Sequence, residues 1–88
     1  MVSDENRQSQ YDFYRAARSH EAQGRYAEAL EAYAKAIEVA QDYADAWFYK
    51  GRLHHRLKQR EEAVCCAKRA LELKPSWQKH VQSILNDA

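Results

Sequence analysis

Two sets of aromatic and arginine residues recur at helical spacing in this 88-residue sequence. The first set is Tyr11, Tyr14, Arg15 and Arg18, and the second, 34 residues further along, is Asp45, Phe48, Tyr49, Arg52 and Arg56. Guanidinium groups pair bidentately with carboxylates, and tyrosines offer rigid contact area at a low entropic cost. Such residues could recognise a carboxylate group. The other interpretation is a solvated face, in which neighbouring helices half cover the aromatic rings.

A second constellation has the residue types that bind metal ions: His54, His55, Cys65 and Cys66. Zinc takes four such ligands at tetrahedral angles. Adjacent residues on a helix point about 100° apart, so neither pair can easily direct both of its side chains at one point. We therefore expect packed imidazoles and no metal. A metal- or redox-sensing role for Cys65 and Cys66 is a distant alternative.

Composition argues against several other classes of protein. Fourteen Lys and Arg residues face 13 Asp and Glu residues, so the net charge of +1 gives no general attraction for nucleic acid or membranes. No apolar run approaches the roughly 20 residues of a membrane span. The first seven residues have no apolar core, so we expect no secretory signal. Adjacent cysteines do not resemble a disulfide framework, and reduced thiols in the cytoplasm are the simplest interpretation.

The sequence has no pattern that supports catalysis. It contains no glycine-rich phosphate loop and no H-E-x-x-H motif. Carboxylates alternate with basic residues at helical spacing, as Glu31 and Lys35 do, and such pairs are typical of a solvated helix surface. The basic run from Lys50 to Arg60 is interpreted in the same way. We therefore expect a protein that is not an enzyme and needs no cofactor.

An internal repeat organises the chain. When the sequence is shifted by 34 residues, identical residues coincide: Arg18 with Arg52, His20 with His54, Glu28 with Glu62, Ala29 with Ala63, Ala36 with Ala70 and Glu38 with Glu72. A fixed period of this length is the signature of stacked helical or strand units. We interpret residues 10–43 and 44–77 as two copies within one domain, preceded by a flexible lead-in of residues 1–8 and followed by an incomplete unit of residues 78–88.

Each copy has two amphipathic patterns, which predict helices over residues 10–23, 26–40, 44–57 and 60–73, with a last helix after Pro75. The predicted N-caps are Ser9, Asp42 and Ser76, and Gly24 and Pro75 mark helix ends. Small residues at Ala17, Ala29, Gly51 and Ala63 allow the helix axes to approach closely. Because the connections have two or three residues, neighbouring helices are expected to be antiparallel.

These residues resemble the tetratricopeptide repeat over residues 10–77. The second copy matches at Trp47-x-x-x-Gly51, Ala63, Ala70 and Pro75, and the first at Phe13, Ala17, Gly24, Tyr26, Ala29, Tyr33 and Ala36. The resemblance implies an all-α fold, a right-handed superhelix of two helical hairpins and a capping helix, five helices in total. The chain departs from the family at Gln41, Lys58 and Ala67, and Trp77 could fill the packing gap expected beside Ala67.

The resemblance also implies a function. In this family the first helix of each hairpin lines a concave groove that binds an extended peptide or a helix of a partner protein, and here those helices carry the two aromatic and arginine sets. We therefore expect an adaptor that takes an acidic or carboxylate-bearing segment of a partner. Arg18 and Arg52 stand where chaperone-binding relatives place asparagine, so we do not expect their carboxylate clamp. The alternative is self-assembly, with Tyr11, Tyr14 and Tyr26 pairing between chains in a dimer.

Overall fold

A computed structural model describes the backbone of residues 4–86 and the side chains from residue 9 to residue 86. Five α-helices follow one another in this part of the chain, with no strand: α1 (Asp4–Ala22), α2 (Tyr26–Val39), α3 (Ala44–Arg56), α4 (Arg60–Leu73) and α5 (Gln78–Asn86). A short 3₁₀ turn, Pro75–Trp77, joins α4 to α5. The predicted all-α class is confirmed. Residues 87 and 88 of the predicted last unit lie outside the described residues.

The first helix begins earlier than predicted. Because α1 starts at Asp4, Ser9 lies inside the helix, and its assignment as the N-cap is wrong. Residues 4–10 contain no Gly or Pro that would stop a helix, and acidic residues at the beginning of a helix favour its positive end. Part of the predicted lead-in of residues 1–8 is therefore helical. The division of the chain at residues 10–43 and 44–77 stays a prediction.

Two other predicted caps are also wrong. Tyr43, and not Asp42, is the N-cap of α3, and it makes no side-chain cap hydrogen bond. Ser76 lies within the 3₁₀ turn, so α5 begins after it. The chain before α3 satisfies its backbone groups in another way, because the amide of Tyr43 donates to the carbonyl of Ala40 and the indole of Trp47 donates to the carbonyl of Gln41.

The turns inside the two hairpins share one backbone geometry. Gly24 has φ +78° and Lys58, 34 positions later, has φ +64°. Arg25 donates to the carbonyl of His20 across 2.8 Å, and Gln59 donates to the carbonyl of His54 across 2.9 Å. With the bonds from the amides of Gly24 and Lys58, these are the paired hydrogen bonds of a Schellman motif, whose left-handed residue favours glycine. The backbone of Lys58 is therefore strained, whereas glycine at the equivalent position of the first hairpin is not.

Single substitutions at these two turns should change the free energy of unfolding in opposite directions. A left-handed conformation costs a non-glycine residue roughly 1–2 kcal/mol, part of which the larger chain entropy of unfolded glycine offsets. We expect Lys58→Gly to raise the free energy of unfolding by about 0.5–1 kcal/mol, and Gly24→Lys to lower it by a similar amount. No atom of the described residues lies within 4 Å of a Cβ built at Gly24, so a clash with them cannot produce that loss. Urea denaturation measures both changes. Changes of the same sign in the two variants would contradict this interpretation.

Successive helices pack against one another from α1 to α5, and α5 also contacts α3. Ala17, Ala29 and Tyr33 are fully buried between the helices of the first hairpin. In the second hairpin, a Cβ at Gly51 would lie 3.0 Å from Cβ of Cys66 and 3.2 Å from the carbonyl oxygen of Ala63. The predicted close approach of Gly51 and Ala63 is therefore confirmed.

The last helix covers the second hairpin. Val81 and Ile84 of α5 are buried in one cluster with Ala63, Ala67 and Ala70 of α4. Trp77 packs against the same cluster, which contains Ala67. Over the described residues, no helix is both long enough and apolar enough to cross a membrane.

Candidate functional site

Tyr14 is the centre of an aromatic cluster at the junction of the two hairpins. Its ring centroid lies 5.6 Å from that of Tyr49 on α3, 5.5 Å from that of Tyr43 and 6.3 Å from that of Tyr33. Tyr14 lies about 100° around the helix from Phe13, and this spacing predicts that it cannot pack inward with Phe13 and Ala17. The prediction is wrong, because the half-buried ring of Tyr14 packs against the cluster that contains Ala17 and against the cluster on which Phe13 also packs. The reason is tertiary: α3 lies beside α1 and brings Tyr49 across it.

Two exposed arginines lie over one tyrosine ring at this junction. The guanidinium carbon of Arg18 is 4.3 Å from the ring centroid of Tyr49, and that of Arg52 is 5.2 Å from the same centroid. A nitrogen of Arg18 also donates to the hydroxyl of Tyr14 across 3.3 Å. We call Tyr14, Arg18, Tyr49 and Arg52 the arginine–tyrosine site. It draws one tyrosine and one arginine from each of the two predicted sets.

The arginines of this site have no acidic partner in the part of the chain whose side chains are described. Among the side chains that the structure describes, no carboxylate lies within 4.0 Å of a nitrogen of Arg18 or Arg52. Arg18 instead has its guanidinium held by the aromatic rings, and its hydrogen bond with Tyr14 raises the pKa of Arg18. The pKa of Tyr14 is raised as well, first because burial disfavours the phenolate. The site therefore carries two positive charges beside the neutral hydroxyl group of Tyr14.

The other predicted residues flank this site or lie outside it. Arg15 lies over the ring of Tyr11 at 5.7 Å, at the outer side of α1, and both side chains are exposed. Arg56 donates to the hydroxyl of Tyr26 and pairs with Glu21, so its charge is already used within the chain. Phe48 lies on the far side of Tyr49, towards α5. Of the nine residues in the two predicted sets, four thus form the arginine–tyrosine site, and Tyr11 and Phe48 flank it through ring contacts with Tyr14 and Tyr49.

A buried polar pair beside the site was missed by the sequence interpretation. The hydroxyl of Tyr33, which is fully buried, donates to Oε1 of Glu21 across 2.8 Å. Oε2 of Glu21 lies 3.7 Å from a nitrogen of Arg56, which links α1, α2 and α3 through one carboxylate. The available signal was the position of Glu21 four residues after Ala17 on the buried stripe of α1, where a charged residue needs partners.

The cysteines and histidines do not assemble into one site. Cys65 is exposed and Cys66 is buried, and both are free thiols. Burial raises the pKa of the Cys66 thiol, which disfavours the reactive thiolate. Nδ1 of His54 bonds to the side chain of Gln59, and Nδ1 of His20 lies 3.3 Å from Glu28 without hydrogen-bond geometry. No group of three or more potential metal-ligating side chains lies together among the described residues.

A comparison with known families identifies the class of protein that this fold and surface define. A family model described as a tetratricopeptide repeat matches residues 14–76, which is more than half of the chain. The protein therefore belongs to the tetratricopeptide repeat family, as the sequence indicated. No curated protein matches the sequence. Members of this family are protein–protein interaction modules and generally not catalysts, and the chain is an interaction module of this kind.

Proposed function

We propose that the chain is an adaptor that binds an acidic segment of a partner protein across the arginine–tyrosine site. The observation that carries this proposal is the pair of exposed guanidinium groups over Tyr49, which come from two different hairpins and have no carboxylate partner among the described side chains. An arginine without an internal acid can form its bidentate pair with a ligand. The free cysteines are compatible with the cytoplasmic location that we propose with this function.

The contacts within the site favour binding because they hold the arginines in place. Binding normally costs about 0.5–1.5 kcal/mol for each long side chain that becomes ordered. Arg18 already has its guanidinium fixed between the hydroxyl of Tyr14 and the ring of Tyr49, so this cost is smaller. The rings of Tyr14 and Tyr49 pack against each other and supply a rigid floor. A partner segment that extends from α1 to α3 would meet both charges.

Charge reversal at both arginines should abolish this binding. We expect the double variant Arg18→Glu, Arg52→Glu to bind a labelled, capped hexaglutamate peptide at least about tenfold more weakly than the wild type, since each lost bidentate pair is a charge-assisted contact. Fluorescence anisotropy at low salt measures the affinity. Hexaglutamine, which has the same length and no charge, should not bind.

The matched control is the double variant Lys68→Glu, Lys74→Glu, in which both substituted residues are exposed and lie on or just after α4. It lowers the net charge by the same amount as the arginine variant. If both variants lose the same affinity, the peptide responds to overall charge alone and the proposed site is wrong. If only the arginine variant loses affinity, the proposal is supported.

Self-assembly is the second candidate, and the contacts within the chain weigh against it. Of the three tyrosines predicted to pair between chains, Tyr14 packs within its own chain and Tyr26 is bonded to Arg56. Tyr11 is 51% exposed and alone among the three is left open to a second copy. Sedimentation over a range of concentrations distinguishes the candidates, because the average molar mass of a dimerising chain would rise with the concentration.

A further inference from the structure

An aromatic pocket lies next to the arginine–tyrosine site, between α3 and the beginning of α5. Its volume is about 230 Å³, and its lining residues, which define the aromatic pocket here, are Asp45, Phe48, Tyr49, Trp77 and His80. Tyr49 belongs to both features, so the two sites share one ring. The pocket combines residues of the second hairpin with residues that follow Pro75, and it opens to the surface.

The rings of the pocket stand at steep angles to one another. Phe48 and Trp77 have centroids 5.8 Å apart and ring planes at 67°, while Trp77 and His80 are 6.5 Å apart and nearly perpendicular at 89°. Phe48 and Tyr49 meet at 73°. Rings arranged in this way form the walls of a box, and the negative face of an aromatic ring attracts a cation.

Other aromatic rings of this chain already have a cation over the face. Arg15 lies over Tyr11, Lys50 over Trp47 and Arg56 over Tyr26. By contrast, no described lysine or arginine lies over Phe48 or Trp77, and the two arginines near the pocket lie over Tyr49, the ring that it shares with the arginine–tyrosine site. The half-buried carboxylate of Asp45 lines the same pocket and has no ion-pair partner among the described side chains. The pocket therefore offers both kinds of group that stabilise a cation.

We propose that the aromatic pocket binds the ammonium group of a lysine side chain from the partner protein. The inference rests on the proposed function, because it places this lysine in the same partner segment as the acidic residues. A compact ammonium suits a box with steep walls, whereas a planar guanidinium stacks on one face, as Arg18 does on Tyr49. The groove then recognises a segment of alternating charge, with the acid over Arg18 and Arg52 and the lysine beside Asp45.

A side-chain analogue tests the pocket without knowledge of the partner. The probe is n-butylammonium, which reproduces the lysine side chain, and the matched neutral probe is 1-butanol. The readout is the ¹H–¹⁵N signal of the Trp77 indole, followed during titration of the wild-type protein at pH 8. The Trp47 indole is an internal reference, because it donates to the carbonyl of Gln41 and its ring already carries Lys50.

We expect n-butylammonium to shift the Trp77 signal in a saturating way, with half-saturation at a concentration about fivefold lower than for 1-butanol. Asp45→Asn should raise the half-saturating concentration about fivefold, whereas Glu61→Gln, an exposed acid in the first turn of α4, should leave it unchanged. Equal shifts with both probes, or no shift at Trp77, would overturn the inference. The comparison of the two probes uses the wild type, so the test does not depend on how a variant folds.

The two proposals can fail separately. The double variant Arg18→Glu, Arg52→Glu should bind n-butylammonium at least as tightly as the wild type, because neither residue lines the aromatic pocket and the variant removes two positive charges from the shared Tyr49 ring. If the wild type binds hexaglutamate but shows no preference for n-butylammonium, the lysine pocket is wrong and the acid-binding site stands. If it prefers n-butylammonium but does not bind hexaglutamate, the pocket's preference for a cation stands and the proposed function is wrong.

Discussion

Gly51→Val is expected to lower the free energy of unfolding by about 3 kcal/mol or more. A Cβ at this position would lie 3.0 Å from Cβ of Cys66, 3.2 Å from the carbonyl oxygen of Ala63 and 3.3 Å from the amide nitrogen of Ala67. Two of these atoms belong to the backbone of α4, which cannot turn aside as a flexible side chain can. Valine adds two further methyl groups to this crossing, so α3 and α4 would have to separate.

The typical cost of overpacking supports a large loss of stability in Gly51→Val. Overpacking a core typically costs 1–3 kcal/mol, and a forced separation of helices also exposes the neighbouring cluster. A domain of this length has a total stability on the order of 4–13 kcal/mol. Gly51→Ala should be milder, with a net loss of about 1–2 kcal/mol, because alanine gains about 1 kcal/mol of helix propensity. Circular dichroism with urea denaturation measures both variants.

The control is Ala16→Val, an exposed position in the middle of α1. It introduces the same residue at an exposed position of a helix, so it should cost only about 0.6 kcal/mol of helix propensity. If Gly51→Val were as stable as Ala16→Val, α3 and α4 would not be in close contact, and the nested hairpin described here would be wrong.

Raising the pH above 10 should destabilise the fold, and Tyr33 should cause a measurable share of the loss. Burial raises the pKa of Tyr33 above its ordinary value of 10.0, and its hydrogen bond to Glu21 adds to the increase. Burial also raises the pKa of Tyr43 to about 12. The folded chain therefore keeps protons that the unfolded chain releases. The stabilisation is complete below about pH 10 and is lost as the pH rises towards the raised values.

Tyr33→Phe separates the contribution of this hydroxyl. At pH 7 the variant should be less stable by about 1–3 kcal/mol, because the buried carboxylate of Glu21 loses its donor. Between pH 10 and 12 its stability should fall less steeply than that of the wild type, by up to about 1.4 kcal/mol per pH unit. Urea denaturation at a series of pH values measures this slope. Tyr11→Phe, at an exposed ring, should stay within about 0.5 kcal/mol of the wild type at pH 7.

Equal slopes for the wild type and Tyr33→Phe would contradict this explanation. They would mean that the Tyr33 hydroxyl ionises equally easily in the folded and unfolded chains, and thus that it is not buried beside Glu21. A steeper slope in the variant would contradict the statement that the folded chain holds the Tyr33 proton more tightly than the unfolded chain does.

The helix pairs could be predicted because their cause is local and repeats. Gly51 and Ala63 coincide with Ala17 and Ala29 after a shift of 34 residues, and small residues at fixed spacing are sufficient to place the crossing points. The ends of the helices were harder to predict. A favourable N-cap such as Ser9 does not stop a helix when the residues before it also favour one.

The candidate site was predictable only in part, because it depends on how two hairpins meet. The helical spacing identified Arg18 and Arg52, but the contact between Tyr14 and Tyr49 and the shared carboxylate of Glu21 need the packing of α1 against α3. The aromatic pocket combines Asp45 of α3 with Trp77 of the 3₁₀ turn, which are 32 positions apart in the sequence. No periodicity within one helix indicates such a combination.

The most direct test of the proposed binding site is to locate the bound peptide. In ¹H–¹⁵N spectra of the wild type, hexaglutamate should shift the side-chain Nε signals of Arg18 and Arg52 and the backbone amide of Tyr49. The amides around Lys68 on α4 should stay in place. Shifts confined to Arg18, Tyr49 and Arg52 are the result that we predict. Shifts centred on α4, or spread evenly over the basic residues, would contradict the proposed site.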